Sequence, residues 1–250
     1  MAKGALCSIR GREYEIAIHQ VLKYCSLNGS LFHTQSVDEL AGSSSKNDLQ
    51  CNMNAVNDIG IEAKIYSTPD WMQSSLHYCP ERKRWFSKKG KNPDECQKIF
   101  DSILERVCIF DGGIPPFMER DITHDEWKDI KKSTTQWNDT YFDIPDNTIQ
   151  QLYRAKGCHY IQVSNGYGVY HLGEDVCSFG VPEFNIQQKL RIRTKVHSRK
   201  NSRGYCSLSV MAACQPKKLQ DLPRSPYSLD DTARLPRCLV DLSRDPTGSL

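Results

Sequence analysis

The sequence predicts an α/β protein with a C-terminal β-hairpin and a flexible tail, and three observations carry that prediction. Apolar residues near the start recur at three- and four-residue steps, two β-prone segments flank a turn between residues 48 and 66, and residues 190–197 alternate strictly.

The first pattern places an amphipathic helix over residues 9–25, with Tyr14, Ala17, Ile18, Val21, Leu22 and Cys25 on one face and Gly29 and Ser30 as the stop. Residues 28–46 are rich in Ser, Gly, Asn and Gln and read as a loop, with at most a helical turn around 37–40. Residues 48–51 and 59–66 read as strands on either side of the turn-prone stretch 52–58. Residues 68–91 mix Trp, Tyr, Pro and many cations and show no clear period. A helix is expected over 94–110, on the stripe Ile99, Phe100, Ile103, Leu104 and Val107, then a turn at 112–116 and a charged, solvated helix over 118–132.

Asp146 or Asn147 can cap a further helix through Lys156, with Gly157 ending it; strands at 160–163 and 168–172 then flank an Asn165-Gly166 turn. Leu190, Ile192, Thr194 and Val196 alternate with Arg191, Arg193, Lys195 and His197, the period of a strand with one buried and one exposed, basic face. Residues 205–214 return as its partner after a turn at 198–204. Five prolines after Gln215 suggest a poorly ordered tail, so the expected division is a main domain over 1–215 and a disordered tail over 216–250.

A chain of 250 residues supports one substantial core. Its longest nearly apolar run, 208–214, is far too short to cross a bilayer, and the first residues have no apolar stretch of a secretory signal, so an intracellular protein without membrane contact is expected. The eleven cysteines are odd in number and include no C-x2-C pair, which favours reduced thiols over disulfides or structural zinc. The absence of a G-x4-G-K-[ST] loop argues against ATP as a partner. The net charge of +3 is unevenly spread: residues 1–186 hold 20 basic and 25 acidic side chains, residues 187–250 hold 13 and 5. Nine Lys or Arg and no Asp or Glu lie between Lys189 and Lys218, as expected of a surface that meets polyphosphate or, equally, of a solvated basic face.

The chemistry centres on Asp48, Glu62 and Lys64. Strand alternation puts Glu62 and Lys64 on one face and Ile61, Ala63 and Ile65 on the other, while Asp48 at the start of the neighbouring strand brings a second carboxylate to Glu62. Two such carboxylates suit Mg2+, which activates water and stabilises charge on a phosphate; Lys64 would orient or deprotonate that water. Three further carboxylate-x-lysine spacings, Glu81/Lys83, Glu126/Lys128 and Asp129/Lys131, sit in charged stretches without flanking β-branched alternation and read as decoys. The competing reading of the hairpin itself is an exposed, salt-bridged pair of strands.

With Asp48 as its first acid and Glu62-Ala63-Lys64 as its (D/E)xK, the chain resembles the PD-(D/E)xK nuclease superfamily, including many type II restriction endonucleases; Asn47 stands in the place of the Pro. Gly11-Arg12-Glu13-Tyr14-Glu15 is similar to the helical glutamate element of that superfamily, with Glu15 the candidate and Glu13 its rival. A looser similarity runs through 156–163, 166–172 and 181–184. The resemblance implies a restriction-endonuclease-like central mixed sheet flanked by helices, with the hairpin at the metal site. It also implies Mg2+, for which Mn2+ can substitute, held by Asp48, Glu62 and the Ala63 carbonyl. The partner would be double-stranded DNA, and a homodimer is compatible. Arg191, Arg193, Lys195, Arg199, Lys200 and Arg203 are the expected DNA contacts, first to phosphates and then to guanine edges. The function so implied is sequence-specific cleavage of phosphodiester bonds, with a structure-specific repair or recombination nuclease and a non-catalytic DNA-binding protein as alternatives.

Overall fold

The structure is a computed structural model that describes residues 3–34, 48–53, 56–90 and 92–244. Asn47 and the helical turn expected near 37–40 lie outside the described residues. The chain is a mixed α/β protein, with four α-helices and three sheets among the described residues.

The chain enters through α1 (Lys3–Leu22), then short strands β1 (Cys25–Leu27), β2 (Ser30–Leu31) and β3 (His33–Thr34). The hairpin follows as β4 (Leu49–Met53) and β5 (Val56–Lys64). Its strands reach further into residues 52–58 than the composition of that stretch indicates. Residues 68–91 hold β6 (Met72–Cys79) and β7 (Arg84–Ser87). In β6, Met72, Ser74 and Leu76 are buried at a period of two, but the middle one is a serine and is followed by Ser75 on the other face, so hydropathy did not reveal it.

Helix α2 (Asp94–Leu104) is shorter than expected because the chain turns into a 3-10 segment, Ile109–Gly112, in which Phe110, Asp111 and Gly112 all have positive φ. Helix α3 (His124–Ser133) starts where Thr123 Oγ1 accepts a bond from the Glu126 amide, and it is not wholly solvated, since Trp127 is buried. Strand β8 (Thr140–Ile144), helix α4 (Thr148–Ala155), β9 (Cys158–Val163) and β10 (Gly168–His171) come next, with Gly157 at φ 84° ending α4 as expected. The long hairpin β11 (Gln188–Ser198) and β12 (Ser207–Pro216) precedes β13 (Leu239–Asp241).

One sheet has the order β10-β9-β5-β4-β3, in which β5 runs parallel to β9 and the other neighbours are antiparallel. A second sheet, β7-β6-β12-β11-β8, is antiparallel throughout, and β13-β1-β2 forms a small third. Helix α4 packs against β9 of the first sheet and β12 of the second, and α1 packs on β5. Alternation along β5 and β9 divides the apolar core in two. Ile59, Ile61, Ala63 and Tyr160 point into a cluster with Ile18, Leu22 and Phe179, whereas Ile161 and Val163 join Leu152, Tyr153 and the second sheet. The face of β5 opposite Ile61 and Ala63 therefore meets α4.

The disordered tail expected from the prolines is not what residues 216–244 form. Strand β13 pairs with β1, Cys25 opposite Asp241 and Leu27 opposite Leu239, while Leu222, Leu229 and Leu239 are buried. The Leu229 amide donates to Gln162 Oε1 (2.9 Å), Gln162 Nε2 to Ser228 Oγ (2.8 Å), and the Tyr14 hydroxyl to Asp230 Oδ2 (2.7 Å). Prolines break up a long α-helix here and leave short 3-10 turns, and a chain whose polar groups are satisfied by the body it crosses tolerates them. The apolar anchors are too widely spaced to show a period. Leu229→Ala is expected to lower unfolding free energy by about 2–4 kcal/mol in urea titrations, as for a fully buried leucine, whereas a disordered tail would show no change.

Candidate active site

Leu49 lies opposite Ile61 in the β4–β5 ladder, so the next residue outward, Asp48, comes opposite Glu62. The Ala63 amide donates to Asp48 Oδ2 at 3.0 Å, which fixes that carboxylate over the strand. Lys64 Nζ lies 2.5 Å from Glu62 Oε1 and 3.6 Å from Asp48 Oδ2, so one ammonium spans both acids. The site is partly open on the Asp48 and Lys64 side, where the side chains are 19% and 16% exposed, and closed at Glu62, which is 2% exposed. An exposed salt-bridged hairpin is excluded by that burial. Of the decoys, Glu81 and Asp129 are exposed, and Glu126 pairs with Arg120 at the surface.

A residue that the sequence did not single out completes the arrangement. Lys156, at the end of α4, places Nζ 2.9 Å from Glu62 Oε2, and its side chain is only 5% exposed. The Tyr153 ring lies 5.5 Å from both Nζ atoms and its hydroxyl donates to the Trp71 carbonyl at 2.7 Å. Cys158 Sγ donates weakly to Glu62 Oε2 at 3.6 Å. The available signal was a lysine just before the glycine that ends a helix, followed by a strand; because β9 is parallel to β5, that helix end comes beside Glu62.

The charges perturb one another. Burial opposes ionisation of Glu62, but the ammonium groups of Lys64 and Lys156 outweigh it and hold its carboxyl below the ordinary range. Asp48 is pushed up by burial and then by the charge of Glu62. Burial would lower Lys64, yet the negative charge of Glu62 prevails and holds the ammonium well above its ordinary value. Paired with Glu62 in this way, Lys64 carries an ammonium, the form that can orient a water rather than deprotonate it. Glu15, on α1, is pushed up to about 7, first by burial and then by the charge of Asp48, with Glu62 adding to it and Lys64 and Arg12 opposing. Glu15 thus lies within electrostatic range of Asp48 and Glu62, on a helix that packs on β5. Its rival Glu13 is exposed on the same helix. Ala63 is buried, and its amide is committed to Asp48.

Among the described residues, no three His, Cys, Asp or Glu side chains converge to form a ready-made metal cage. The donor set is instead two carboxylates, Asp48 and Glu62. With Glu15, three acids face two lysines, and two of the three are pushed up in pKa. Asp48, partly open, and Glu62, buried between two ammonium groups, are the carboxylates that could hold Mg2+, which takes one or two protein carboxylates and completes its shell with water and substrate phosphate.

The predicted DNA-contacting residues divide into two groups. Arg191 and Arg193 do not form a free basic face: Arg193 Nη2 lies 2.8 Å from Asp70 Oδ2, Arg191 Nη1 3.3 Å from Asp70 Oδ1, and Arg191 Nε donates to Asp139 Oδ2 at 2.9 Å. Asp70 is 6% exposed, so these guanidiniums neutralise a buried acid that lies about 120 residues earlier in the chain. Lys195, Arg199, Lys200 and Arg203 make no ion pair among the described residues, and the last three are exposed at the tip of the β11–β12 hairpin. No helix of the described residues is long and apolar enough to cross a membrane. No protein-family model, curated protein or solved structure matches the chain.

Proposed function

We propose that the chain is a Mg2+-dependent endonuclease of the PD-(D/E)xK kind, with a restriction-endonuclease-like arrangement of the β5-containing sheet, hydrolysing phosphodiester bonds in double-stranded DNA. One observation carries the reading: Asp48 stands opposite Glu62 on adjacent strands with the Lys64 ammonium between them, in a site closed on one side and open on the other. Asp48, Glu62 and the Ala63 carbonyl would hold Mg2+, or Mn2+ in its place. When bound, the metal supplies positive charge to the phosphate and lowers the pKa of water. Lys64 contributes a fixed positive charge for the pentavalent phosphate as negative charge builds on its oxygens. Glu15, poised near neutrality, accepts the proton of the attacking water. Lys156 keeps Glu62 ionised and in place.

Digestion of plasmid DNA with purified protein and Mg2+ or Mn2+, followed by sequencing of the ends, tests the reading. Discrete bands support sequence-specific cleavage, and a protein that binds DNA of varied sequence without ever nicking it refutes the nuclease assignment.

The hairpin tip is the proposed phosphate-contacting surface. Alanine at Arg199, Lys200 or Arg203 is expected to weaken binding across all sequences and to reduce the slope of log affinity against log salt by about 1 each. Arg191→Ala is expected to act on stability instead, because it leaves Asp70 short of a partner. Affinity measured by fluorescence anisotropy over a salt series, beside urea unfolding, separates the two groups.

A further inference from the structure

Beside the site lies an aromatic stack that hydrolysis as described does not use. The chain leaves β5 after Lys64 and turns, with the Thr68 amide bonded to the Ile65 carbonyl at 3.0 Å. The Tyr66 amide donates to Ser164 Oγ at 2.9 Å, which ties this exit to that of the parallel strand β9. The Tyr66 ring stacks on Tyr167, with centroids 5.5 Å apart and planes inclined by 15°. Tyr167 is 5% exposed, and the Arg224 guanidinium lies 4.8 Å from its ring centroid. Arg224 is anchored in turn by its Nη1, which donates to the Asn165 carbonyl at 2.9 Å, and Arg234 Nη2 donates to the Ser225 carbonyl at 2.6 Å beside it. Tyr66 remains 40% exposed.

A lone exposed tyrosine means nothing by itself. Here the ring is held by its backbone and backed by a second ring, Tyr167, against which lies an exposed arginine of the kind that suits a phosphate. It also follows Lys64 by only two residues, in the turn at the exit of β5. An aromatic plane fixed beside cationic groups is the structure that stacks nucleobases without regard to their identity.

We propose that Tyr66, backed by Tyr167 and Arg224, is a platform that stacks one unpaired nucleobase next to the phosphate presented to Lys64. The inference rests on the nuclease reading and narrows its substrate. A base inside a continuous duplex has both faces covered by its neighbours, so the platform is useful only where a base is unpaired at the cut, as in a bulge, or has been extruded. The preferred substrate is therefore duplex DNA with a local unpaired base.

The test uses the full chain and two duplexes of one sequence, one continuous and one with a single bulged 5-iododeoxyuridine, in Ca2+ so that binding is read apart from cleavage. Irradiation of the bulged complex is expected to cross-link the base to Tyr66, as identified by mass spectrometry of the peptide. Tyr66→Ala is expected to weaken binding of the bulged duplex by about 5- to 150-fold and to leave the continuous duplex unchanged, while Tyr66→Phe keeps both affinities. Unchanged binding of the continuous duplex also shows that the alanine variant is folded. The proposal is overturned if Tyr66→Ala affects both duplexes alike or neither, or if the cross-link falls on another residue. Absence of cleavage by the wild-type protein with Mg2+, beside an intact Tyr66 cross-link, would instead remove the nuclease reading and leave a nucleobase-binding site.

Discussion

Lys64→Ala is expected to slow Mg2+-dependent DNA cleavage by about 100- to 1,000-fold while DNA affinity stays close to that of the wild type. The size follows from what the residue does in the proposed reaction: its charge acts in a site largely shielded from water, where a preorganised donor aimed at developing charge has its greatest effect. The fold should survive, because Glu62 keeps Lys156 at 2.9 Å and Asp48 keeps the Ala63 amide. Binding should survive as well, since the proposed phosphate-contacting cations lie on another element, at the tip of the β11–β12 hairpin. Single-turnover rates at saturating enzyme, beside affinities in Ca2+, check both halves. Wild-type rates in the alanine variant would remove Lys64 from the chemistry.

The second large effect concerns stability. Glu62→Ala is expected to cost about 3–5 kcal/mol at neutral pH, measured by urea unfolding, because it leaves the ammonium groups of Lys64 and Lys156 in a buried site with Asp48 alone to balance them. The pH dependence gives an independent check. The Glu62 carboxyl is held below its unfolded value, so its stabilisation is present above about pH 4.5 and is lost as pH falls through the folded value. Glu15 behaves in the opposite sense. Its folded carboxyl is pushed up to about 7, so the native state holds the proton more tightly and stability declines as pH rises from about 4.5 to 7. Glu15→Gln should remove that decline, a gain on the order of 1 kcal/mol at pH 8 once partial exposure is discounted. A urea midpoint that changes with pH in the variant as it does in the wild type would count against the placement of Glu15 beside Asp48.

The hairpin and its three polar residues were legible because strand alternation is a local property: Ile61 and Ala63 had to face one way and Glu62 and Lys64 the other. The Asn165-Gly166 turn and the Gly157 stop were legible for the same reason, each being fixed by the backbone freedom of a few residues. What stayed hidden depends on partners remote in sequence. Arg191 and Arg193 look like an exposed basic face until Asp70 is brought beneath them, and Lys156 looks like an ordinary helix end until β9 is laid parallel to β5. Residues 216–244 misled in the same way, since their order is supplied by Gln162, Tyr14 and β1 rather than by any periodicity of their own.

The bond between Tyr14 and Asp230 joins residues 216 positions apart, and Tyr14 is the neighbour of Glu15 on α1. At a synthesis rate of about 5–20 residues per second, about 10–40 s separate the appearance of these two side chains. Throughout that interval the first helix lacks its latch, and the acid it carries has no fixed position relative to Asp48. The nascent chain is thus restrained by time: Asp230, which ties down α1, is made long after Asp48, Glu62 and Lys64, so in the proposed enzyme the surroundings of the site are completed well after the site's own residues.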